Sequence, residues 1–240
     1  MPRFEWKDED YKASLMFFPM VGVVIGVLIL ALNELSFMAA VPTAVRIILT
    51  ILVPILVTGG FHLDGFMDTV DALSSYAERG RRLEILEDPH IGAFSVIGLV
   101  RWLLIYAAAV TAIVLNDKSD VKVMAVFCLT FVISRALSGL TSVLFVKARK
   151  KGMLYEETRG ASRGKVIALS MWLVAGAALM IGLSIFRGLL ICLAIALYTL
   201  YYRRMTMDRF GGVTGDTAGY YLTVVEAMSA VVLAISIYMM

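Results

Sequence analysis

The chain has 240 residues, of which 60% are hydrophobic and only 17% charged, and its mean hydropathy is +0.84. Soluble domains are about half apolar with about a quarter of residues charged. The surplus here exceeds what one core absorbs and is spread too evenly for a single anchor, which excludes a soluble domain and predicts an all-α, polytopic membrane helical bundle embedded in the lipid bilayer.

The opening stretch, MPRFEWKDEDYK, mixes charges and lacks a cleavage signal, so the first apolar run is expected to be retained. Seven apolar runs follow, at 15–32, 44–60, 93–115, 121–146, 166–186, 188–202 and 219–240. Runs of about 20 apolar residues cross a bilayer as helices, because only a helix satisfies every backbone polar group in lipid. Pro54 is expected to kink the second helix. Gly188 leaves little loop between the fifth and sixth runs, predicting a tight helical hairpin. Cys128 and Cys192 both fall inside apolar runs without metal or pairing spacing, which reads as buried packing. No repeat, low-complexity tract or long linker interrupts the chain, so residues 1–240 are expected to form one domain.

Charge distribution sets the expected orientation. Segments 1–14, 61–92, 147–165 and 203–218 hold 16 of the 22 Lys and Arg residues. The alternate connections hold only Lys118, Lys122 and Arg187, and Arg46, Arg101 and Arg135 lie within apolar runs. Positively charged loops stay in the cytoplasm, so the N-terminus is predicted inside and the C-terminus outside. No nucleic-acid partner is expected, and the sequence leaves a homo-oligomer open.

The first chemistry-bearing stretch is GGFHLDGFMDTVDALSS, residues 59–75. On a helix, Asp64, Asp68 and Asp71 fall at i, i+4 and i+7, within a stripe about 60° wide. Three carboxylates on one face repel one another unless a cation lies between them, and oxygen-only donors suit Mg²⁺ or Mn²⁺ better than zinc. A solvated acidic first turn is the bland alternative. His62 falls roughly opposite that stripe, placed to orient or contact substrate. Next comes EDPHIGAFSVIGLVRWLL, where Asp88 precedes a helix carrying Arg101. Arg135 sits in VISRALSGL, inside the fourth run. A charge in the bilayer is costly unless paired or wetted, so Arg46, Arg101, Arg135 and Glu226 are functional candidates by default. Arg101 and Arg135 are the stronger pair for gripping a phosphate, whereas Glu226 is read as neutralising one of the arginines. The basic loop KARKKGMLYEETRGASRGK would face anionic lipid or an anionic substrate, and membrane topology accounts for it equally well. In MDRFGGVTGDTAGYY, residues 207–221, Gly211, Gly212 and Gly215 could present backbone N–H groups to a phosphate, and Asp208 and Asp216 could complete a metal site. Sharing would require the second and last helices to be neighbours.

At these residues the sequence resembles the cobalamin synthase family, the adenosylcobinamide-GDP ribazoletransferases. The family's Gly-Gly-apolar-His-x-Asp-Gly-x-x-Asp-x-x-Asp signature is matched by Gly59, Gly60, His62, Asp64, Gly65, Asp68 and Asp71. EDPHIGAF, SRA and GGVTGDTAG follow in the family's order, so the likeness covers roughly residues 59–219. The chain departs at EDPHIGAF, where the family usually has Lys-Asp-Ser-Arg and His90 replaces the arginine. The resemblance implies a multi-pass enzyme of a prokaryotic cytoplasmic membrane with its site facing the cytoplasm. It would join α-ribazole, or its 5′-phosphate, to adenosylcobinamide-GDP, releasing GMP at the last assembly step of coenzyme B₁₂. It further implies Mg²⁺ held by Asp64, Asp68 and Asp71, with Asp216 sharing it or holding a second ion. Either a carboxylate or His62 would take the attacking hydroxyl's proton. Arg135, Arg101, Asp88, Gly211, Gly212 and Gly215 would contact substrate.

Other membrane transferases fit less well. CDP-alcohol phosphotransferases need Ala-Arg where Met67 and Asp68 stand. Intramembrane prenyltransferases repeat Asp-x-x-x-Asp, which Asp64 and Asp68 match and the second loop does not. A cation transporter would place its acids near the midplane on broken helices, whereas here only Glu226 is deep.

Overall fold

The computed structural model describes residues 8–116, 121–159 and 163–239, and only the backbone of residues 8–13 and 121. The N-terminal cations Arg3 and Lys7 and the loop cation Lys118, all used to predict orientation, lie outside the described residues. The helices are α1 (Asp8–Met38), α2 (Thr43–Thr58), α3 (Phe61–Ser74), α4 (Arg79–Ile85), α5 (Ala93–Asn116), α6 (Val121–Leu144), α7 (Met153–Thr158), α8 (Arg163–Leu183), α9 (Ile185–Phe210) and α10 (Gly215–Ile237). The fold is thus the expected all-α bundle. Six helices are long and apolar enough to cross a membrane, and a seventh crossing exists if α2 and α3 count as one broken span. With 16 residues, α2 alone is about 24 Å long, short of a hydrocarbon core of about 30 Å.

The break in this pair is not at Pro54, as expected, but at the glycine pair after it. α2 and α3 meet at 90° through Gly59 (φ +63°) and Gly60 (φ +79°). Two successive left-handed residues turn the chain sharply, a conformation that disfavours any residue with a Cβ. Pro54 remains inside a continuous α2, where its carbonyl accepts a hydrogen bond from Thr58 Oγ1 at 2.8 Å.

Two further boundaries differ from the sequence reading. The run 188–202 is only the apolar middle of α9, which continues as a helix through YYRRMTMDRF to Phe210. The last helix starts at Gly215, not near residue 219, because Thr214 caps it: the Thr214 hydroxyl accepts from Thr217 N–H at 3.2 Å and the Thr217 hydroxyl accepts from Thr214 N–H at 2.8 Å. The predicted hairpin is present, with only Ser184 between α8 and α9. Gly188 permits its tight closure, since a Cβ there would lie 2.7 Å from Ile181 Cα.

α6 is the central helix, with 83% of its apolar window buried against 17% for α8. Cys128, on α6, is buried, as expected of a packing residue, and Cys192, on α9, is half-buried. At one end of the bundle, intramembrane Arg46 is satisfied by α1, donating from Nη2 to Asn33 Oδ1 at 3.1 Å. At the other end, three connections converge. Val213 N–H donates to Val146 O at 2.8 Å, and Ala148 N–H returns a bond to Val213 O at 3.0 Å. Arg79 Nη2 reaches Met207 O at 3.0 Å. The segments that carry the acidic and glycine-rich motifs therefore share one end of the molecule.

Candidate active site

α3 carries the acids, and missing side chains allow it to sit directly on α10. A Cβ on Gly65 would lie 2.9 Å from both Cα and O of Asp216, and one on Gly219 would lie 3.1 Å from His62 O. Thr223 Oγ1 donates to His62 O at 3.2 Å, and Phe66 stacks on Tyr220 at 5.6 Å. The glycine of the HLDG motif is thus a helix-contact residue rather than a turn residue. It is α3, not α2, that neighbours the last helix. The Gly65 contact, one Cα–Cβ bond and one 3.8 Å step along the chain together hold the Cα atoms of Asp64 and Asp216 within about 8 Å of each other.

Asp64, Asp68 and Asp71 all lie on helical α3, but they do not close on one point. Among the described residues no three His, Cys, Asp or Glu side chains gather as a ready-made metal cage. Asp71 shows why. Its two carboxylate oxygens lie against Gly92, where a Cβ would be 2.1 Å from each. Gly92 immediately precedes α5, whose N-terminal dipole favours an anion there. The charges that act on Asp68 are those of acids, Asp64 first, then Asp216, then Asp71. None of the four is ion-paired among the described residues. Mg²⁺ is commonly held by one or two carboxylates together with substrate phosphate oxygens and water, not by an all-protein cage. The oxygen donors Asp64, Asp68 and Asp216 fit that kind of site.

The glycine-rich segment works differently from the sequence reading. Gly211 adopts φ +81° as the left-handed cap of α9, and its N–H bonds back to Met207 O and Thr206 O. The N–H of Gly212 also returns to Thr206 O, at 3.1 Å. Gly212 is further required by close packing, since a Cβ there would sit 2.4 Å from Val146 O. These two N–H groups end a helix and are not available to a phosphate. Gly215, exposed at the first turn of α10, is the one of the three left to do so. Asp208 points away too, its nearest cation being Arg204 at 3.8 Å on the exposed side of α9.

Beside the acids opens a cavity of about 760 Å³ bounded by α1, α2, the start of α3, α6, α7 and α10. Its membrane-side wall is apolar, with Leu15, Phe18, Val21 and Val57. His62, Gly215 and Asp216 form the edge toward the acidic stripe, and Lys147, Arg149 and Lys151 form a cationic rim. Asp216 therefore faces the cavity while neighbouring Asp64 and Asp68. Burial lowers the Lys147 ammonium from its ordinary value to about 8. Its Nζ donates to Phe145 O at 2.9 Å and to Ser142 O. Arg149 is held by Glu87 at 2.7 Å and by the Leu83 carbonyl. Lys147, Arg149 and Lys151 belong to the loop that the sequence left between lipid, substrate and topology. The signal that places them is the pairing of Lys147 with Val213, which the sequence pattern does not reveal.

The two arginines expected to grip phosphate are not together. Arg135 is 1% exposed and donates from Nη1 to Glu226 Oε1 at 2.5 Å, so Glu226 neutralises an arginine, as expected. Arg135 borders a second, smaller cavity rather than the large one. Arg101 is exposed on α5 and lines neither. Asp88 also lines neither cavity. It accepts from the backbone N–H of His90 at 3.0 Å and pairs with the His90 ring at 2.6 Å, bonds that hold its carboxyl below the usual range.

The profile of the cobalamin-5-phosphate synthase family matches residues 1–234. The chain belongs to this family. It is 36% identical over 237 residues to the adenosylcobinamide-GDP ribazoletransferase of Lachnoclostridium phytofermentans, covering 98% of this chain and 88% of that protein. It is 32% identical to the Clostridium perfringens strain 13 enzyme of the same name, over 98% of this chain and 92% of the relative. The Pseudomonas savastanoi enzyme is 33% identical, with coverages of 98% and 91%. No solved structure matches the chain. Within the cobalamin-5-phosphate synthase family, then, the signature glycines and acids of this chain have the structural settings described above.

Proposed function

We propose that this chain is an adenosylcobinamide-GDP ribazoletransferase, which joins α-ribazole or its 5′-phosphate to adenosylcobinamide-GDP and releases GMP. The observation that carries the reading is the large cavity, where an apolar wall, a cationic rim and the Asp216 edge of an acidic stripe face one space. A substrate with a bulky organic body and a diphosphate needs those three surfaces together. The names of the relatives supply the particular substrates.

In the reaction, the ribazole hydroxyl oxygen bonds to the cobinamide-side phosphorus and the bond from that phosphorus to the GMP oxygen breaks. Lys147 and Arg149 draw the diphosphate toward the rim. Asp64, Asp68 and Asp216 would hold Mg²⁺, or Mn²⁺, against its oxygens. The bound ion would supply charge neutralisation as negative charge builds on the non-bridging and leaving oxygens. The hydroxyl's proton passes to a base at the cavity edge, either His62 or one of the carboxylates. The distribution of basic loops supports an orientation with this end in the cytoplasm of a prokaryotic cell, the N-terminus inside and the C-terminus outside.

Purified protein in lipid nanodiscs, given adenosylcobinamide-GDP, α-ribazole and Mg²⁺, should release GMP and the joined corrinoid in equal amounts. GMP release that does not depend on α-ribazole would overturn the transferase reading.

A further inference from the structure

One wall of the large cavity carries groups that neither the metal nor the diphosphate uses. It is α7, which follows the cationic rim directly. Lys151 is succeeded by Gly152, which leads into the helix, and Leu154, Tyr155 and Glu157 line the cavity from it. The segment is held at both ends. Upstream, Lys147 pairs with Val213. Downstream, Arg159 N–H donates to Tyr155 O at 2.7 Å, and Lys165 Nζ donates to the Glu157 carbonyl at 2.6 Å. The two adjacent acids of α7 have different settings. Glu156 is exposed, with Arg159 at 3.8 Å. Glu157 is half-buried at the cavity, and its carboxylate makes no hydrogen bond or ion pair among the described residues. Burial raises that carboxyl above its ordinary value, while the Lys165 charge acts in the opposite sense. Taking a carboxylate out of water without hydrogen-bond donors is costly, so Glu157 is set to receive donors that a ligand brings.

We propose that α7 is the guanine pocket of the site, in which Glu157 accepts from both N1–H and N2–H of the base and Tyr155 supplies an aromatic surface for its face. The inference rests on the ribazoletransferase reading for the presence of a GDP group, and adds the residues that select its base. An ionised carboxylate offers two acceptor oxygens and no donor. Guanine presents two adjacent donors on its Watson–Crick edge and matches it. Adenine presents a lone pair at N1 beside its amino group, so one carboxylate oxygen would face another acceptor. Bases stack on aromatic side chains with little regard to their identity, so Tyr155 adds affinity and Glu157 adds selectivity. At 1.5 Å of rise per residue, Glu157 lies about 7.5 Å beyond Gly152 along α7. A phosphate drawn to Lys147, Arg149 or Lys151 and a base at Glu157 are therefore separated by room for the ribose. By this arrangement α7 holds the leaving nucleotide and leaves the apolar wall to the other groups.

Binding of GMP, IMP and AMP to the protein in nanodiscs with Mg²⁺, measured by calorimetry, tests this with three probes that share one phosphate and one ribose. Wild type should bind GMP about 10- to 100-fold more tightly than AMP, the discrimination that a bidentate base contact gives. IMP keeps N1–H and lacks the N2 amino group, so it should fall between them. Glu157→Gln replaces one acceptor with a donor and should bring the GMP-to-AMP ratio within about threefold while leaving AMP affinity within about twofold of wild type. Tyr155→Leu should weaken GMP and AMP together by roughly tenfold and keep their ratio. A wild type that binds GMP no more tightly than AMP would overturn the assignment without any variant having to fold, and so would a ratio that Glu157→Gln leaves unaltered. Turnover separates this from the reaction itself. If wild type releases no GMP from adenosylcobinamide-GDP, the ribazoletransferase reading fails while the nucleotide ratios still decide the pocket. If wild type turns over and the ratios are flat, the guanine pocket alone fails.

Discussion

Replacing Gly65 with alanine adds one methyl group where α3 lies on α10. The new Cβ would sit 2.9 Å from Cα and O of Asp216, backbone atoms that cannot rotate away, whereas ordinary contact begins near 3.4 Å. The two helices must therefore part by roughly 0.5 Å. Overpacking of this kind costs about 1–3 kcal/mol, and alanine returns about 1 kcal/mol of helix propensity over glycine. The net loss of stability is thus at most about 2 kcal/mol. Catalysis is more sensitive, because a misplacement of about 1 Å can cost about 10²-fold. Half that displacement between Asp216 and the acids of α3 should lower kcat/KM by roughly 10-fold. The assay is GMP release in nanodiscs, run beside a thermal-shift measurement. Gly80→Ala, inside α4, is the control, since no atom lies within 4 Å of a Cβ there; it should leave kcat/KM unchanged and should not lower the melting temperature. Wild-type kcat/KM in Gly65→Ala would show that the α3–α10 contact does not set the geometry of the acids.

Asp64→Asn should reduce kcat by about 10²-fold or more, the loss expected when transition-state charge stabilisation is removed; a chelator should abolish wild-type activity and Mg²⁺ or Mn²⁺ restore it. Full activity of a folded Asp64→Asn protein would refute its ligand role. Lys147 carries its charge below about pH 8 and loses it as pH rises through that value, so KM for the diphosphate substrate should increase above about pH 8. Lys147→Gln should show a higher KM already at pH 7 and lose this pH dependence, and an unchanged profile would remove Lys147 from the rim. For topology, a C-terminal reporter active only in the periplasm or at the outer surface should report strongly, and activity only from a cytoplasmic reporter would contradict the predicted orientation.

What the sequence made legible was whatever depends on local pattern. Apolar run length predicted the membrane bundle, because the bilayer fixes the length of a crossing element. Helical periodicity placed the three aspartates on one face of α3. The hairpin at Gly188 followed from the absence of any loop. What escaped was whatever depends on contacts distant in sequence. The 90° turn at Gly59 and Gly60 was hidden because a glycine pair can equally cap a helix, line a phosphate loop or admit a neighbouring backbone. Gly65 and Gly212 were read as motif members, yet each is set by one distant segment, Asp216 in the first case and Val146 in the second. Arg101 and Arg135 looked equivalent in sequence. Only Glu226, 91 residues beyond Arg135, distinguishes them.

The same distant contacts account for how opposite charges coexist at one end of the molecule without cancelling. Asp64, Asp68 and Asp216 make no ion pair among the described residues, although the Arg149 charge acts on Asp216 from the rim, and Arg149 and Lys151 are only a loop away. Left to themselves, flexible cations would fold onto the acids and occupy the positions that a metal and a diphosphate need. Glu87 prevents this by taking both, Arg149 at 2.7 Å and Lys151 at 2.9 Å. Such exposed pairs add little to stability, so their consequence is geometric: they fix the direction in which the rim points. Arg149 is further restrained by the carbonyl of Leu83 and by the pairing of the adjoining segment at Lys147 with Val213. The acids are restrained from the opposite side, through Gly65 and Gly219 against α10. Cations and carboxylates are therefore held on separate supports with the cavity between them. An anionic substrate arriving with a divalent cation can satisfy both sets at once, which neither the substrate nor the cation does alone.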